Sequence, residues 1–313
     1  MNLLEKISNK HILIIGDSIL DKTVSSRAIG LSLESPTLKT QEINEEVSFG
    51  GAGNVVKNLL SLGCKCTFLT LVGNDEYRRF YDQWQDPNLH LIQVSADRRN
   101  VVKSRYWVEH GGVNYKYLQI NSGDKGRLEE GTFEEMYSIY EHHLEQVDVV
   151  ILVDYNNGVF ADSTRAQRFI GEAKRHNIPT ISSSQISDGA NRYSYFKNSS
   201  YICMNESEAL RNFQSFSSTD TSIVGLSHHL ESSVCVTLGK NGSIFSDGER
   251  IFRAEPPVVS VKDTCGAGDA FLAAFAVCLG DMNLKFCNMW AAISTTKLGT
   301  SCSSLEDLDD FGY

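Results

Sequence analysis

Two common nucleotide-binding signatures are missing from this sequence. No G-x-x-x-x-G-K-[ST] loop occurs, and the first apolar run ends in "IIGDSILD" without G-x-G-x-x-G. No apolar run approaches the roughly 18–20 residues that a bilayer span needs. The opening "MNLLEKISNKHILIIGD" has neither the apolar length nor the small-residue cleavage site of a secretory signal. Basic charge is in deficit: 29 Lys and Arg against 39 Asp and Glu leave a net charge of −10. That argues against nucleic acid or an anionic membrane surface as partner. A small anionic ligand stays open, because local charge can oppose the global sign. Linkers rich in Pro, Gly or Ser, repeats and low-complexity segments are absent, so a single domain over residues 1–313 is the economical reading. The eight cysteines form no C-x-x-C pair and no zinc spacing, and most lie in apolar segments. They read as reduced core thiols of a cytoplasmic protein. Cys265 is the exception, because it lies in a glycine-rich loop.

What is present is an alternation of two periods. Short apolar runs at 11–15, 66–72, 148–153, 178–182, 200–203 and 234–238 read as buried strands. Helical patterns fall at 52–62, 130–146, 162–176, 205–214, 267–279 and 286–298. The alternation predicts an α/β fold with a mostly parallel sheet covered on both faces. Ligands are then expected at the strand ends. Residues 22–48 and 98–120 break the rhythm with half-exposed alternating patterns such as "VVKSRYWVEH". They predict a small separate sheet acting as a lid.

Four loops carry residues suited to chemistry. In "DTCGAGDAF", Gly266, Ala267 and Gly268 would leave backbone N–H groups bare at the start of a helix, where the helix dipole favours an anion. Asp269 in the first turn could accept a proton from an attacking hydroxyl. Equally, it could complement the dipole while the glycines serve a turn. In "FGGAGN", Gly50 and Gly51 permit close approach of another molecule, and Asn54 offers both a donor and an acceptor; a hairpin-to-helix turn explains them as well. In "GDSILD", Asp21 could bind paired hydroxyls and Asp17 could cap local backbone. In "NESE", Glu208 could hold water on magnesium, or Asn205 and Glu208 could form a capping box.

Together these motifs resemble the ribokinase, or PfkB, family of sugar kinases, from about residue 11 to residue 305. "DTCGAGD" matches D-T-x-G-A-G-D at every fixed position, "GGAGN" matches G-G-x-x-N and "NESE" matches N-x-x-E. "VTLGKNG", residues 236–242, is similar to the strand and turn that face the nucleotide. The resemblance implies a three-layer α/β/α domain with a β-sheet lid, using ATP and Mg2+. Asp269 would be the base, and Gly266, Ala267 and Gly268 the anion hole. Asp21, Gly50, Gly51, Asn54, Lys103 and Arg105 would meet the sugar. Asn205, Glu208, Thr237, Gly239, Gly242 and Asn288 would line the ATP side, Glu208 reaching Mg2+ through water. Asp263, Cys265, Ser294, Lys297, Gly299 and Ser303 align with the mainly backbone ligands of a monovalent cation, K+.

Within the family, "GDSILD", "LESPT" (33–37), "VDYNNG" (153–158) and "KLGTS" (297–301) resemble the heptose 7-phosphate kinases of lipopolysaccharide precursor synthesis. Those kinases act on an anomeric hydroxyl. Many continue into a nucleotidyltransferase domain, which is not expected within these residues. Two departures concern charge. Ser183, Ser184 and Gln185 replace an Asp-Pro-Lys, and Asn157 replaces the lysine of D-Y-x-K-G. Lys103 and Arg105 are the cations that could compensate. The "EHGGVNYKY" stretch is also about three residues longer than the matching lid segment. The alternatives are a kinase of an unphosphorylated sugar and a sugar- or nucleotide-sensing protein without turnover. The exposed edge of the lid leaves room for a homodimer.

Overall fold

The computed structural model describes residues 7, 9–185, 192–297, 299–300 and 302–309. Leu298 and Ser301 of the "KLGTS" motif lie outside the described residues. The elements run β1 (His11–Gly16), β2 (Ser18–Leu31), β3 (Leu38–Gly51), α1 (Ala52–Ser61), β4 (Lys65–Gly73), α2 (Arg78–Gln83), β5 (Leu89–Ala96), β6 (Val102–His110), β7 (Val113–Ser122), α3 (Glu130–His143) and β8 (Val149–Asp154). They continue with α4 (Ser163–Arg175), β9 (Thr180–Ser184), β10 (Tyr201–Asn205), α5 (Glu206–Asn212), α6 (Asp220–Leu230), β11 (Ser233–Thr237), β12 (Ser243–Ser246), β13 (Ile251–Ala254), α7 (Ala267–Val277), α8 (Leu284–Ser294) and α9 (Leu305–Asp309).

Nine strands form the main sheet in the order β13-β12-β11-β10-β9-β8-β1-β4-β5. It is parallel except for β12 and β13, which turn back on β11 as an antiparallel edge. The run "HILII" shows why both faces are covered. Ile12 and Ile14 point into one core, Leu13 and Ile15 into the other, as the two-residue period of a strand requires. The first core is closed by α1, α7 and α8, and the second by α3, α4 and α6. Helix α7 is apolar on all sides, with every residue from Ala270 to Val277 buried. A buried polar link locks α8 to α1: Trp290 Nε1 donates to Asn58 Oδ1 at 2.9 Å, and Asn58 Nδ2 donates to the Asn54 carbonyl at 2.8 Å.

The lid is a second sheet of four strands, β3-β2-β6-β7. Its strands reach further than the pattern suggested. Strand β2 begins at Ser18, one residue after β1, and β3 runs to Gly51, where α1 begins. The expected strands and helices are otherwise found with ends shifted by a few residues. The helix expected over 286–298 starts at Leu284 and ends at Ser294, because the Asn283 side chain caps it by accepting from Phe286 N. The one expected over 130–146 is α-helical only to His143, and closes with a 3-10 turn at Leu144–Gln146. Helix α6 was not expected from sequence, because "DTSIVGLSHHL" is poor in strong helix formers and holds Gly225. Buried Ile223, Leu226 and Leu230 nevertheless give it an inward stripe.

The sheet leaves no side-chain room where β1 meets β8. A Cβ on Gly16 would stand 2.1 Å from the Val153 carbonyl oxygen. By contrast, a Cβ on Gly171, inside α4, would meet nothing within 4 Å. Gly16→Ala should therefore cost about 2–3 kcal/mol in chemical denaturation, while Gly171→Ala should add up to about 1 kcal/mol. Equal midpoints for the two variants would refute this account of the central strands.

Candidate active site

Strands β4 and β8 flank β1, so the chain leaves the sheet in opposite directions on either side of it. This switch point is where a parallel sheet opens a crevice. Asp17, directly after β1, is 3% exposed and faces the loop after β8. Its Oδ2 accepts from Tyr155 N at 2.9 Å and Asn157 N at 3.0 Å. Its own carbonyl accepts from Ala52 N at 3.1 Å, at the start of α1. Asp17 caps backbone as expected of it, but the amides it holds belong to the distant loop after β8 rather than to its own neighbours, so it ties two loops together. Burial raises its pKa.

Asp269 sits in the first turn of α7 and is 6% exposed. Both oxygens are held: Tyr155 Oη donates to Oδ1 at 2.6 Å and Asn54 Nδ2 donates to Oδ2 at 3.0 Å. Burial pushes its pKa up to about 6; the Tyr155 and Asn54 hydrogen bonds pull against this, as does the charge of Lys103, while Asp21 adds to it. A carboxylate so placed binds a proton more tightly than a surface aspartate, yet is ionised near neutrality, which suits a general base. Tyr155 was not among the residues singled out from sequence. The available signal was its place after a central strand, next to the loop that follows β1.

Gly266 starts this helix at φ 83°, in the left-handed region, and a Cβ there would press within 2.7 Å of Asn54 Nδ2. Around Gly268 nothing lies within 4 Å of a would-be Cβ, so its face is open. The first N–H groups of a helix have no partner within it, which leaves the amide of Gly268 available to an anion. Ala267 differs from expectation: its N–H is drawn into a long bond of 3.3 Å to the Thr264 carbonyl, closing the turn.

The residues expected on the ATP side divide between two cavities. Thr237, Gly239, Gly242 and Asn288 line one of about 540 Å3, together with Gly268, Pro257, Val259 and Phe271. Its largely apolar walls, with Gly268 of the α7 N-terminus among them, suit a ligand with an apolar body and an anionic end. Gly242 also has a structural reason, since a Cβ would collide with the Ala254 carbonyl at 1.9 Å, and Asn288 Nδ2 donates to that same carbonyl at 2.8 Å. Asn205 and Glu208 instead line a second cavity of about 420 Å3, together with Tyr155 and the lid residues Lys103, Gln119 and Asn121. There the capping box is complete: Glu208 N donates to Asn205 Oδ1 and Asn205 N to Glu208 Oε2, both at 2.9 Å. Tyr193 Oη adds a third bond to Oε2 at 3.0 Å, and burial raises the pKa of Glu208.

On the lid, Asp21 pairs in register with Lys103, and Gly50 lies directly behind its carboxylate. Arg105 Nη1 donates to Asp21 Oδ1 at 2.6 Å, and Thr300 Oγ1 donates to Oδ2. Arg105 is therefore engaged with Asp21 rather than free for an anion. Lys103 Nζ lies 5.3 Å over the Tyr155 ring, which places it between lid and base. Gly51, at φ 58°, turns the chain from β3 into α1.

The residues aligned with a monovalent site are only partly assembled by their side chains. Asp263 accepts from Cys265 N at 3.0 Å and Gly299 N at 3.1 Å, tying the two turns together. Ser294 and Ser303 spend their hydroxyls on helix carbonyls, and Lys297 pairs with Asp307 at 2.7 Å. Any cation ligands here would be backbone carbonyls. Among the described residues no cluster of three His, Cys, Asp or Glu could hold a metal ion.

The pfkB family carbohydrate kinase model matches residues 9–307. The chain belongs to this family. It is a phosphotransferase that acts on a sugar hydroxyl. It is 27% identical over 313 residues to the bifunctional protein HldE of a Nitratiruptor species, covering 96% of this chain and 64% of that protein. To HldE of Trichlorobacter lovleyi it is 29% identical over 321 residues, covering 96% and 62%. The chain thus spans less than two thirds of these relatives. Among solved structures, phosphofructokinase-2 from Escherichia coli in complex with potassium superposes with a TM-score of 0.75 at 19% identity, over 96% of this chain and 97% of that one. Ribokinase from Thermotoga maritima gives 0.70 at 24% identity, over 96% and 99%. These confirm the ribokinase-like fold. Among the described residues no helix is long and apolar enough to cross a membrane.

Two substitutions and the pH dependence of the wild type test Asp269 as a general base. Asp269→Asn should lower kcat by about 10²–10⁴-fold without lowering the unfolding midpoint. The raised pKa means that the folded state binds this proton more tightly than the unfolded chain does. The Asp269 contribution to stability should thus rise, not fall, as pH drops through about 6. Wild-type kcat/KM should lose activity over that same interval. In Tyr155→Phe the carboxylate loses a donor that favours its charge, so the acidic limb should move to higher pH. An unmoved limb would show that Tyr155 does not tune the base.

Proposed function

We propose that this protein transfers the γ-phosphoryl group of ATP to the anomeric hydroxyl of a sugar that already carries a phosphate, of the heptose 7-phosphate kind. The observation that carries the reaction is the buried Asp269 carboxylate one residue from Gly268, whose open face joins a nucleotide-sized cavity. Asp269 takes the proton of the attacking hydroxyl, held in place by Tyr155 and Asn54. The amides at the α7 N-terminus accept the charge that develops on the transferring group. Asp21, Gly50, Gly51, Asn54, Lys103 and Arg105 form the sugar side, and Thr237, Gly239, Gly242 and Asn288 the nucleotide side.

Mg2+, when bound, supplies positive charge to the ATP phosphates. Asn205 and Glu208 are the residues that would hold it through water, since the capping box uses Glu208 Oε2 and fixes the carboxylate in place. A K+ ion would be met by carbonyls of the turns that Asp263 joins. The heptose 7-phosphate assignment is supported by "GDSILD", "LESPT" and "VDYNNG", and by the similarity to the HldE proteins. Exposed Ile29, Leu31 and Ile43 on β2 and β3, with Tyr115, Tyr117 and Ile120 on β7, favour a homodimer through the lid.

Purified protein with ATP and Mg2+, assayed against paired sugars and sugar phosphates, should release ADP only with an acceptor, and fastest with a heptose 7-phosphate. Ligand-induced stabilisation without acceptor-dependent ADP would instead make it a sensing protein.

A further inference from the structure

We infer that Arg192 is a positioning residue for the transfer: its guanidinium clamps the loop after β8, and that loop aims the Tyr155 hydroxyl at Asp269. The inference rests on Asp269 being the base and adds a residue that acts through another. Arg192 lies between β9 and β10, outside the kinase motifs, and is 7% exposed. Its three nitrogens meet three positions of one loop. Nε pairs with Asp154 Oδ2 at 3.1 Å, Nη1 donates to Asn156 Oδ1, and Nη2 donates to the Phe160 carbonyl. The guanidinium also lies 5.3 Å from the centre of the Tyr195 ring. A planar fork used in this way fixes geometry as well as charge.

The loop has need of such a clamp. Asn156, next to Tyr155, stands at φ 60°, in the left-handed region that few residues other than glycine adopt. Its N–H donates to Asp154 Oδ1 at 2.9 Å, and its side chain is held by Arg192. Asp154 itself is fully buried, with Ser184 Oγ donating to its Oδ2 at 2.8 Å. A carboxylate at that depth requires a cation, and Arg192 supplies it.

Two anchors therefore share this loop. Asp17 holds it by the amides of Tyr155 and Asn157, and Arg192 holds it by the side chains of Asp154 and Asn156 and by the Phe160 carbonyl. Tyr155 sits between the residues that Arg192 grips. Its Oη meets Asp269 Oδ1 at 2.6 Å, so a displacement of about 1 Å in the loop would break that bond.

The test is steady-state kinetics on Arg192→Met, with ATP, Mg2+ and the sugar phosphate that the wild type turns over fastest. Its kcat should fall about 10- to 100-fold, while KM for ATP stays within about twofold. Two double variants separate positioning from loss of structure. Arg192→Met with Asp154→Asn removes both buried charges, so the unfolding midpoint should return most of the way to that of the wild type while kcat stays low. Arg192→Met in a Tyr155→Phe background should cost little beyond the larger of the two single losses, because both changes act on the same contact with Asp269. Losses that multiply, or a kcat that recovers together with the midpoint, would overturn the clamp and leave the kinase reading intact. Full turnover in Asp269→Asn, or no acceptor-dependent turnover by the wild type, would remove both.

Discussion

A single buried carboxylate keeps three segments of this molecule in register. Asp17 occupies the only position between β1 and β2. Its side chain fixes the loop after β8 through the amides of Tyr155 and Asn157, and its carbonyl fixes the first residue of α1. Asn54 on α1 and Tyr155 on the loop are the two residues that hold Asp269. The position of Asp269 thus depends on a residue that never meets it. Burying a carboxylate is unfavourable, and the backbone amides that converge on Asp17 offset that cost.

Asp269 is subject to opposing forces, of which burial is the larger. Desolvation in the α7 turn raises its proton affinity, and two hydrogen bonds restrain it. This division of labour explains why Asn54 is fully buried at the start of a core helix, where a polar side chain would otherwise be unfavourable. Its amide faces Asp269, and its own carbonyl is tied through Asn58 to Trp290 on α8. The active site and the packing of α1 against α8 are one network.

Most of the layer structure was legible because continuous apolar runs and helical stripes are local signals. Runs such as "HILII" and "DVVILV" can be little else than buried strands. The glycine loop was legible because its spacing is specific, and Gly266 has a backbone reason in its left-handed φ of 83° and the nearby Asn54 amide. Tyr155 was not legible, since its contact with Asp269 arises only when the loop after β8 meets the start of α7. The Asp21–Arg105 pair was half visible: both were expected near the sugar, but spacing cannot say that they bind each other. Glu208 shows the reverse case, where the capping box was visible and real while its cavity was not.

The lid has no linker. Strand β2 leaves β1 after one residue, and Gly51 ends β3 and starts α1 at the same point. Strand β2 then extends 14 residues, roughly 40 Å at the usual rise. Such an arrangement is a lever clamped at its root rather than a flap on a hinge. A tilt of a few degrees at the root carries the tip through several ångströms, while Asp21, close to the pivot, scarcely moves. Asp17, which fixes the segments that carry Asn54 and Tyr155, also sits at the root of this lever, so the setting of Asp269 and the tilt of the lid share one anchor.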